Sequence, residues 1–206
     1  VFTLDDDCFP TNEDHVQTHL SNLTNTPAWQ STVPGLQVRG LPYRNLGALP
    51  NVYVSVGLWV GHPDLDAIQR LAHNPVPTDR DLERMIATRV MPSDQYFPLC
   101  GMNVAFRREV ACLMYFPLMG KNSPYARFDD IWGGLVLQRI CRHLRYAIVC
   151  GRPLVEHRRA SDPSINLVRE APGFCANEHL WEVVGSVELR GEDPLTCMRE
   201  MGIGLQ

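Results

Sequence analysis

The sequence has no apolar run long enough to cross a bilayer. The longest, Val110 to Met119, is broken by Pro117 and reaches about half of the roughly 20 residues that a membrane helix needs. No membrane span is expected. A basic segment followed by an apolar one, the mark of a secretory leader, is also missing from the opening residues. Lysine is almost absent: of 19 basic residues only Lys121 is a lysine, so 18 are arginines, whose planar fork suits carboxylates and phosphates. An excess of positive charge is lacking too, since the net charge is −4 and the pI about 6.0. That balance argues against a general nucleic-acid binder. The seven cysteines are odd in number and contain no Cys-x-x-Cys pair, which disfavours a zinc ribbon or disulfide scaffold and points to a reduced, cytoplasmic setting. Repeats and low-complexity tracts are absent as well. What is present is an ordinary globular composition of 206 residues, 45% apolar and 20% charged, enough for one compact domain with a real core.

The chain opens on Val1-Phe2-Thr3-Leu4, a β-prone stretch that runs into Asp5-Asp6-Asp7 and reads as the interior of a longer gene. Beyond it, Val16, Leu20 and Leu23 recur at helical spacing, with Thr11 or Asn12 as N-cap. Residues 26 to 50 hold four prolines and three glycines, a long loop with one short strand expected around Leu36-Gln37-Val38. Alternation from Asn51 to Val60 predicts the clearest strand. Helices are expected from Pro63 through Leu71, within Asp81 to Val90, over Arg107 to Tyr115, from Phe128 to about Leu144, and over Asn177 to Val187. Met102 to Phe106, Tyr146 to Cys150 and Pro153 to Val155 are the remaining β-prone runs. The mixture implies an α/β or α+β fold.

Three consecutive carboxylates after a strand repel one another unless a cation neutralises them, so Asp5, Asp6 and Asp7 are candidates for a divalent metal site. Asp129-Asp130 opens a helix, where carboxylates also cap free N–H groups. The same helix carries Gly133-Gly134 at a cost of about 1 kcal/mol each against alanine, which implies close approach of something to the backbone. Gly101 invites the same inference at the start of a strand. His157, after Leu154-Val155, is a candidate to complete a metal shell. His15 and His19, four apart with no carboxylate after His15, read as a solvated helix face. Arg139, Arg142 and Arg145 read as a solvated face too. Arg39 differs because it lies in the long loop before Gly40, where it suits a diphosphate clamp.

Successive blocks of the chain resemble the reversibly glycosylated polypeptides, the plant-type UDP-arabinopyranose mutases. They are Thr3-Leu4-Asp5-Asp6-Asp7-Cys8-Phe9, Val38-Arg39-Gly40, Gly57-Leu58-Trp59, the run from Phe97 through Cys100-Gly101-Met102-Asn103 to Phe106, Met114-Tyr115-Phe116, and Arg127-Phe128-Asp129-Asp130-Ile131-Trp132-Gly133-Gly134. His157, Ala160-Ser161-Asp162-Pro163 and Asn166-Leu167 extend the match, and the blocks keep their order over residues 2 to 175, while the last thirty residues show none. The resemblance implies a GT-A-like nucleotide-diphospho-sugar fold, here its C-terminal portion, a mixed sheet flanked by helices. It implies a single domain over 1–206 without the nucleotide-binding half that precedes the acidic triplet in the family, and a helical tail over 176–206. It also implies a UDP-sugar substrate and a divalent metal (Mn2+ or Mg2+) held through the Asp triplet; Asp5 and Asp7 are the expected ligands with His157 as candidate third, and Asp6, Gly101, Asn103, Trp132 and Gly133 the expected substrate surface. Arg39 takes the place of the arginine that is transiently glycosylated, and Asp129 and Asp130 are the accompanying catalytic carboxylates. The family's second functional arginine falls on Leu46 in an ungapped placement, with Arg44 the nearest arginine.

Pyranose–furanose interconversion of a nucleotide sugar requires release of the anomeric bond and ring closure through another hydroxyl, with an oxocarbenium-like transition state. A metal-dependent transferase passing the sugar to a hydroxyl acceptor would use the same donor site. A non-catalytic subunit of a larger assembly is the third possibility. Assembly into homo-oligomers or with homologous subunits is expected.

Overall fold

A computed structural model of the chain describes residues 1–33, 36–73, 87–120, 122–158 and 161–206. Among the described residues six strands form one mixed sheet: β1 (Phe2–Leu4), β2 (Cys8–Pro10), β3 (Val52–Gly61), β4 (Arg89–Val90), β5 (Asn103–Phe106) and β6 (Ala147–His157). The order is β1-β5-β3-β6-β2, with β4 paired to β6 as well. Only β3 and β6 run parallel, from Val52 against Ala147 to Gly61 against His157; the other pairs are antiparallel. The helices among the described residues are α1 (His15–Asn25), α2 (Ala67–Ala72), α3 (Asp129–His143), α4 (Pro163–Ser186) and α5 (Pro194–Gly204), with a 3-10 helix over Arg108–Leu113. The mixed α/β class with helices flanking a mixed sheet is therefore as expected.

Period-two alternation divides the strand residues between two faces. Val54, Val56, Val104 and Phe106 pack into the main core with Leu137 and Ile140 of α3 and with Val184, Val187, Cys197 and Met201 from the C-terminal segment. Ser55, Asn103 and Ala105 face the other way, toward α1 and a smaller cluster of Leu23, Val52 and Val149. The central strands β3 and β5 thus bury both sides, and the strong strand signal from Asn51 to Val60 is realised as β3.

Several sequence expectations are corrected. Helix α1 begins after Asp14, which makes no side-chain cap bond, rather than after Thr11 or Asn12. It turns His15, His19 and Leu23 inward, while Val16 and Leu20 are about half exposed. His15 and His19 are thus buried, not solvated. The reason is a polar seam: His19 Nδ1 meets Ser55 Oγ at 2.9 Å and its Nε2 meets Asn103 Oδ1 at 2.9 Å, while Asn22 donates to Ser55 Oγ at 3.0 Å. Hydrogen bonds, which hydropathy does not register, select the face. Leu36-Gln37-Val38 forms no strand. The segment before Leu71 becomes helical only at Ala67, where Asp66 accepts the Gln69 N–H at 2.9 Å. The 107–115 region is a 3-10 helix, and the two β-prone runs near 150 are one continuous strand, β6. Of the helix expected within 81–90, residues 81–86 lie outside the described residues, and Arg89-Val90 is strand β4.

The C-terminal part also differs. Helix α4 starts at Pro163, with Asp162 accepting from Ser164 and Ile165, and runs through 176 without a break. Nothing separates a tail from the domain there, because α4 and α5 supply Val184, Cys197 and Met201 to the main core. Arg139 and Arg142 are likewise more than solvated: Arg139 donates to Val187 O at 2.8 Å, and Arg142 lies over the Tyr96 ring at 4.3 Å. Among the described residues no helix is long and apolar enough to cross a membrane.

Candidate active site

Strand β1 is the edge on one side of the sheet and β2 the edge on the other, so the three aspartates between them pass across its end. The crossing is pinned by backbone bonds from Asp5 N to Met102 O, from Cys8 N to Asp5 O and from Arg158 N to Asp7 O, each 3.1 Å. The carboxylates therefore collect at the C-terminal ends of the parallel pair β3 and β6, where ligands gather in α/β sheets. His157, the last residue of β6, places Nε2 3.6 Å from Asp7 Oδ2 and Nδ1 2.8 Å from the His62 carbonyl oxygen. Burial, and then the charges of Asp7, Asp64 and Asp6, push the Asp5 carboxyl above its ordinary range.

The second acidic segment faces this one. Asp129 and Asp130 form the first turn of α3, and Asp130 accepts from Gly101 N at 3.0 Å and from Ile131 N at 2.8 Å. Burial raises the Asp130 carboxyl, the two hydrogen bonds oppose that shift, and Asp64 and Asp129 add to it. Asp64 is the residue that sequence reasoning missed. It acts electrostatically on Asp5, Cys8, Cys100 and Asp130, and so stands between the two acidic segments. No local signal marks it, because the Asp64-x-Asp66 spacing is explained by Asp66 as the helix cap. Cys100, half-buried beside Asp64, has its thiol pushed up to about 12 and is a poor nucleophile.

The other expected site residues fall into two groups. Gly101 belongs to the cleft: a Cβ there would meet the Phe116 ring at 2.8 Å and the Asp130 Cβ at 3.7 Å, and Thr3 Oγ1 donates to its carbonyl at 2.9 Å. Asp6 is exposed in the turn beside Asp5. Asn103, Trp132 and Gly133 are occupied internally. The Asn103 amide donates to Pro153 O at 3.0 Å and Leu58 O at 3.3 Å besides meeting His19. Trp132 is buried, stacked near Phe128, and donates Nε1–H to Asn177 Oδ1 at 3.0 Å. A Cβ at Gly133 would strike the Tyr115 carbonyl oxygen at 2.6 Å. What approaches the α3 glycines is the backbone of Tyr115 and Leu99, which docks the helix closely enough to present Asp130. Arg39 and Arg44 are exposed in the 26–50 loop, which is closed by pairing of Pro27 with Ala48. Among the described residues no hydrogen bond or ion pair joins Arg39 to the carboxylates.

A divalent cation suits this donor set. Asp7, Asp64 and Asp6 raise the proton affinity of Asp5, and His157, with Nδ1 held at the His62 carbonyl oxygen, presents Nε2 toward Asp7, as a ligating imidazole does when a carbonyl orients its other nitrogen. Among the described residues no three ligating side chains already close on one point, so Asp5 would have to join the Asp7–His157 pair.

Residues 1–202 match the family model described as reversibly glycosylated polypeptide. The chain is 35% identical to UDP-arabinopyranose mutase 1 of Arabidopsis thaliana, over 93% of this chain and 57% of that protein. It is 36% identical to UDP-arabinopyranose mutase 1 of Oryza sativa subsp. japonica, over 87% of this chain and 52% of that protein. It thus spans about half the length of the curated relatives it matches. The match runs to residue 202 and so takes in most of the last thirty residues, in accord with their place in the core. The chain belongs to the reversibly glycosylated polypeptide family.

Proposed function

We propose that the chain performs the sugar-diphosphate chemistry of a UDP-arabinopyranose mutase on a GT-A-like scaffold, interconverting the pyranose and furanose forms of a UDP-sugar with transient glycosylation of Arg39. The observation that carries this reading is the convergence of two acidic segments, Asp5–Asp7 and Asp129–Asp130, across Gly101 at one end of the sheet. Membership of the family and the names of its relatives supply the substrate class.

Asp5, Asp7 and His157 would hold Mn2+ or Mg2+, which when bound supplies positive charge to the diphosphate leaving group. Asp130 is suited to hold and return a sugar hydroxyl proton, since burial raises its carboxyl. Asp129, beside it, is placed to stabilise positive charge on the ring carbon. The Gly101 N–H fixes the Asp130 carboxylate, and Asp6 remains exposed for contact with the sugar or diphosphate. Arg39 would bond through a guanidinium nitrogen to the anomeric carbon as the bond from that carbon to UDP breaks, giving its proton to a carboxylate; the bond from the anomeric carbon to the ring oxygen then opens as that oxygen takes up a proton, another hydroxyl closes on the carbon and gives up its own, and UDP adds back as the bond to Arg39 breaks and Arg39 regains its proton. Asn103, Trp132 and Gly133 serve the reaction by positioning β5 and α3. Seven unpaired cysteines support operation in a reducing, cytoplasmic setting, and assembly with further copies or homologous subunits belongs to the same proposal.

The test is incubation of the chain with UDP-arabinopyranose and Mn2+, followed by chromatographic separation of the two ring forms. UDP-arabinofuranose should appear, and Asp7→Ala should abolish both conversion and cation-dependent UDP binding. Transfer of arabinose to an added alcohol with no furanose formed would replace the mutase by a transferase.

A further inference from the structure

A hollow of about 640 Å³ opens at the other end of the sheet from the carboxylates. Asn51 and Ala147, where β3 and β6 begin, lie on its rim, whereas Gly61 and His157 end the same parallel strands at the acidic cleft. At about 3.3 Å per residue the two places are roughly 30 Å apart. Helix α3 connects them, with Asp129 and Asp130 at its first turn and Arg142 in its last.

The hollow is built rather than incidental. Buried Gln138 accepts from Phe97 N at 3.0 Å and donates to Phe97 O at 2.8 Å, which holds the 91–97 segment as a fixed wall. Cys141, Ile148 and Tyr146 form an apolar floor, and the Tyr146 ring is stacked on Tyr53 at 3.6 Å. Two guanidiniums line the space, Arg142 over the Tyr96 ring at 4.3 Å and Arg145 on a left-handed turn at φ 57°. Among the described residues no carboxylate lines it, and neither arginine has an ion-pair partner.

Size and apolar lining match small-molecule sites of about 300–1,000 Å³. Two guanidiniums without an acid select the sign of the ligand, since each can grip an oxyanion bidentately and both repel a cation. We propose that this hollow binds an anionic small molecule, an apolar body carrying one phosphate or carboxylate, at a site separate from the UDP-sugar cleft.

The experiment is amide chemical-shift mapping of the whole chain with three probes: naphthyl phosphate, neutral naphthol, and decanoate. At least one anion should shift the amides of Phe97, Cys141 and Ile148. A charge-assisted hydrogen bond contributes about 1.5–3 kcal/mol, so naphthol should bind about tenfold more weakly or worse than naphthyl phosphate, and Arg145→Gln should weaken the anion similarly. The tighter of the two anions identifies the source as an aromatic phosphate or an aliphatic carboxylate. The comparison of charged with neutral probe needs no variant, so a poorly folding Arg142→Gln leaves the test intact. Naphthol binding as tightly as naphthyl phosphate, no shift with either anion, or shifts confined to residues 5–7 and 129–130 would overturn the proposal.

Discussion

Asp130 and Gly101 are joined by a hydrogen bond of 3.0 Å from the glycine N–H to the carboxylate, and that bond ties the first turn of α3 to the chain entering β5. The other oxygen of Asp130 accepts from Ile131 N at 2.8 Å, so capping and clamping are performed by one side chain. Its two roles separate by substitution. Asp130→Ala should cost about 1–3 kcal/mol, because two N–H groups lose their partner, and should abolish turnover. Asp130→Asn retains an acceptor and should keep most of the urea-unfolding stability while losing turnover. Undiminished conversion in Asp130→Asn would show that the carboxylate only caps the helix.

The acidic turn is held together against its own repulsion. Because the Asp5 carboxyl is raised above its ordinary value near 3.8, the folded chain binds that proton more tightly than the unfolded chain. Its contribution to stability is therefore complete below the ordinary value and is lost as pH rises through the raised one. Asp5→Asn should raise Tm by a few degrees at pH 7 in chelator-treated protein, and the gain should vanish below pH 3.8. Added Mn2+ should stabilise the unaltered protein and not the variant. Equal stabilisation of both by Mn2+ would remove Asp5 from the ligand set.

Much of this site was legible in the sequence because unusual residues sat at element boundaries. The triplet after β1, the acids opening α3 and the glycine before β5 all mark places where the chain turns, and turns at the end of a sheet meet one another. Asp64 was not legible. Its neighbour Asp66 explains the segment as a cap, and nothing local says that the preceding carboxylate faces residues 5 and 130. The inward face of α1 was misread for a related reason. Hydropathy placed Val16 and Leu20 inside, yet His15 and His19 are buried by their fit to Ser55 and Asn103. Trp132 and Gly133, expected against substrate, make the contacts of α3 with Asn177 and Tyr115.

The buried seam under α1 makes the fold acid-sensitive. Burial pushes His19 down from its ordinary 6.5 to about 4, and pushes His15, whose ring nitrogens have no hydrogen-bond partner among the described residues, in the same direction. Between pH 6.5 and about 4 the unfolded chain takes up a proton at position 19 that the folded chain refuses, so stability falls as pH falls through that window. His19→Gln should cost about 1–3 kcal/mol at pH 7 by breaking buried hydrogen bonds. It should also flatten the decline toward pH 4. Urea midpoints that fall as steeply in the variant as in the unaltered protein would assign the acid sensitivity elsewhere.

At Gly134 two general tendencies oppose each other. Alanine in a helix interior is favoured over glycine by about 1 kcal/mol, yet a Cβ at this position would overlap the Leu99 carbonyl oxygen, a backbone atom that cannot swing aside. Overlap should win: Gly134→Ala should lower stability by about 1–3 kcal/mol, the usual cost of overpacking, and should reduce turnover by moving Asp130 away from Gly101. An unchanged or raised urea midpoint would show that α3 can slide along Leu99 without loss.

Arg39 is the most exposed part of the proposed chemistry, lying just before Gly40, whose φ of 104° and open surroundings leave the turn free of neighbouring side chains. Its guanidinium stays protonated in ordinary protein settings, so bond formation to a sugar requires a carboxylate to accept a proton, whereas a charge clamp on diphosphate requires none. Incubation with radiolabelled UDP-arabinose should label the protein, and excess unlabelled UDP should remove the label if the adduct is an intermediate. Arg39→Ala should abolish labelling. Arg39→Lys keeps the charge and loses the bidentate fork, so it distinguishes the roles. Conversion that persists in Arg39→Lys with no label on the protein would assign Arg39 to the diphosphate alone, and the covalent step would have to be abandoned.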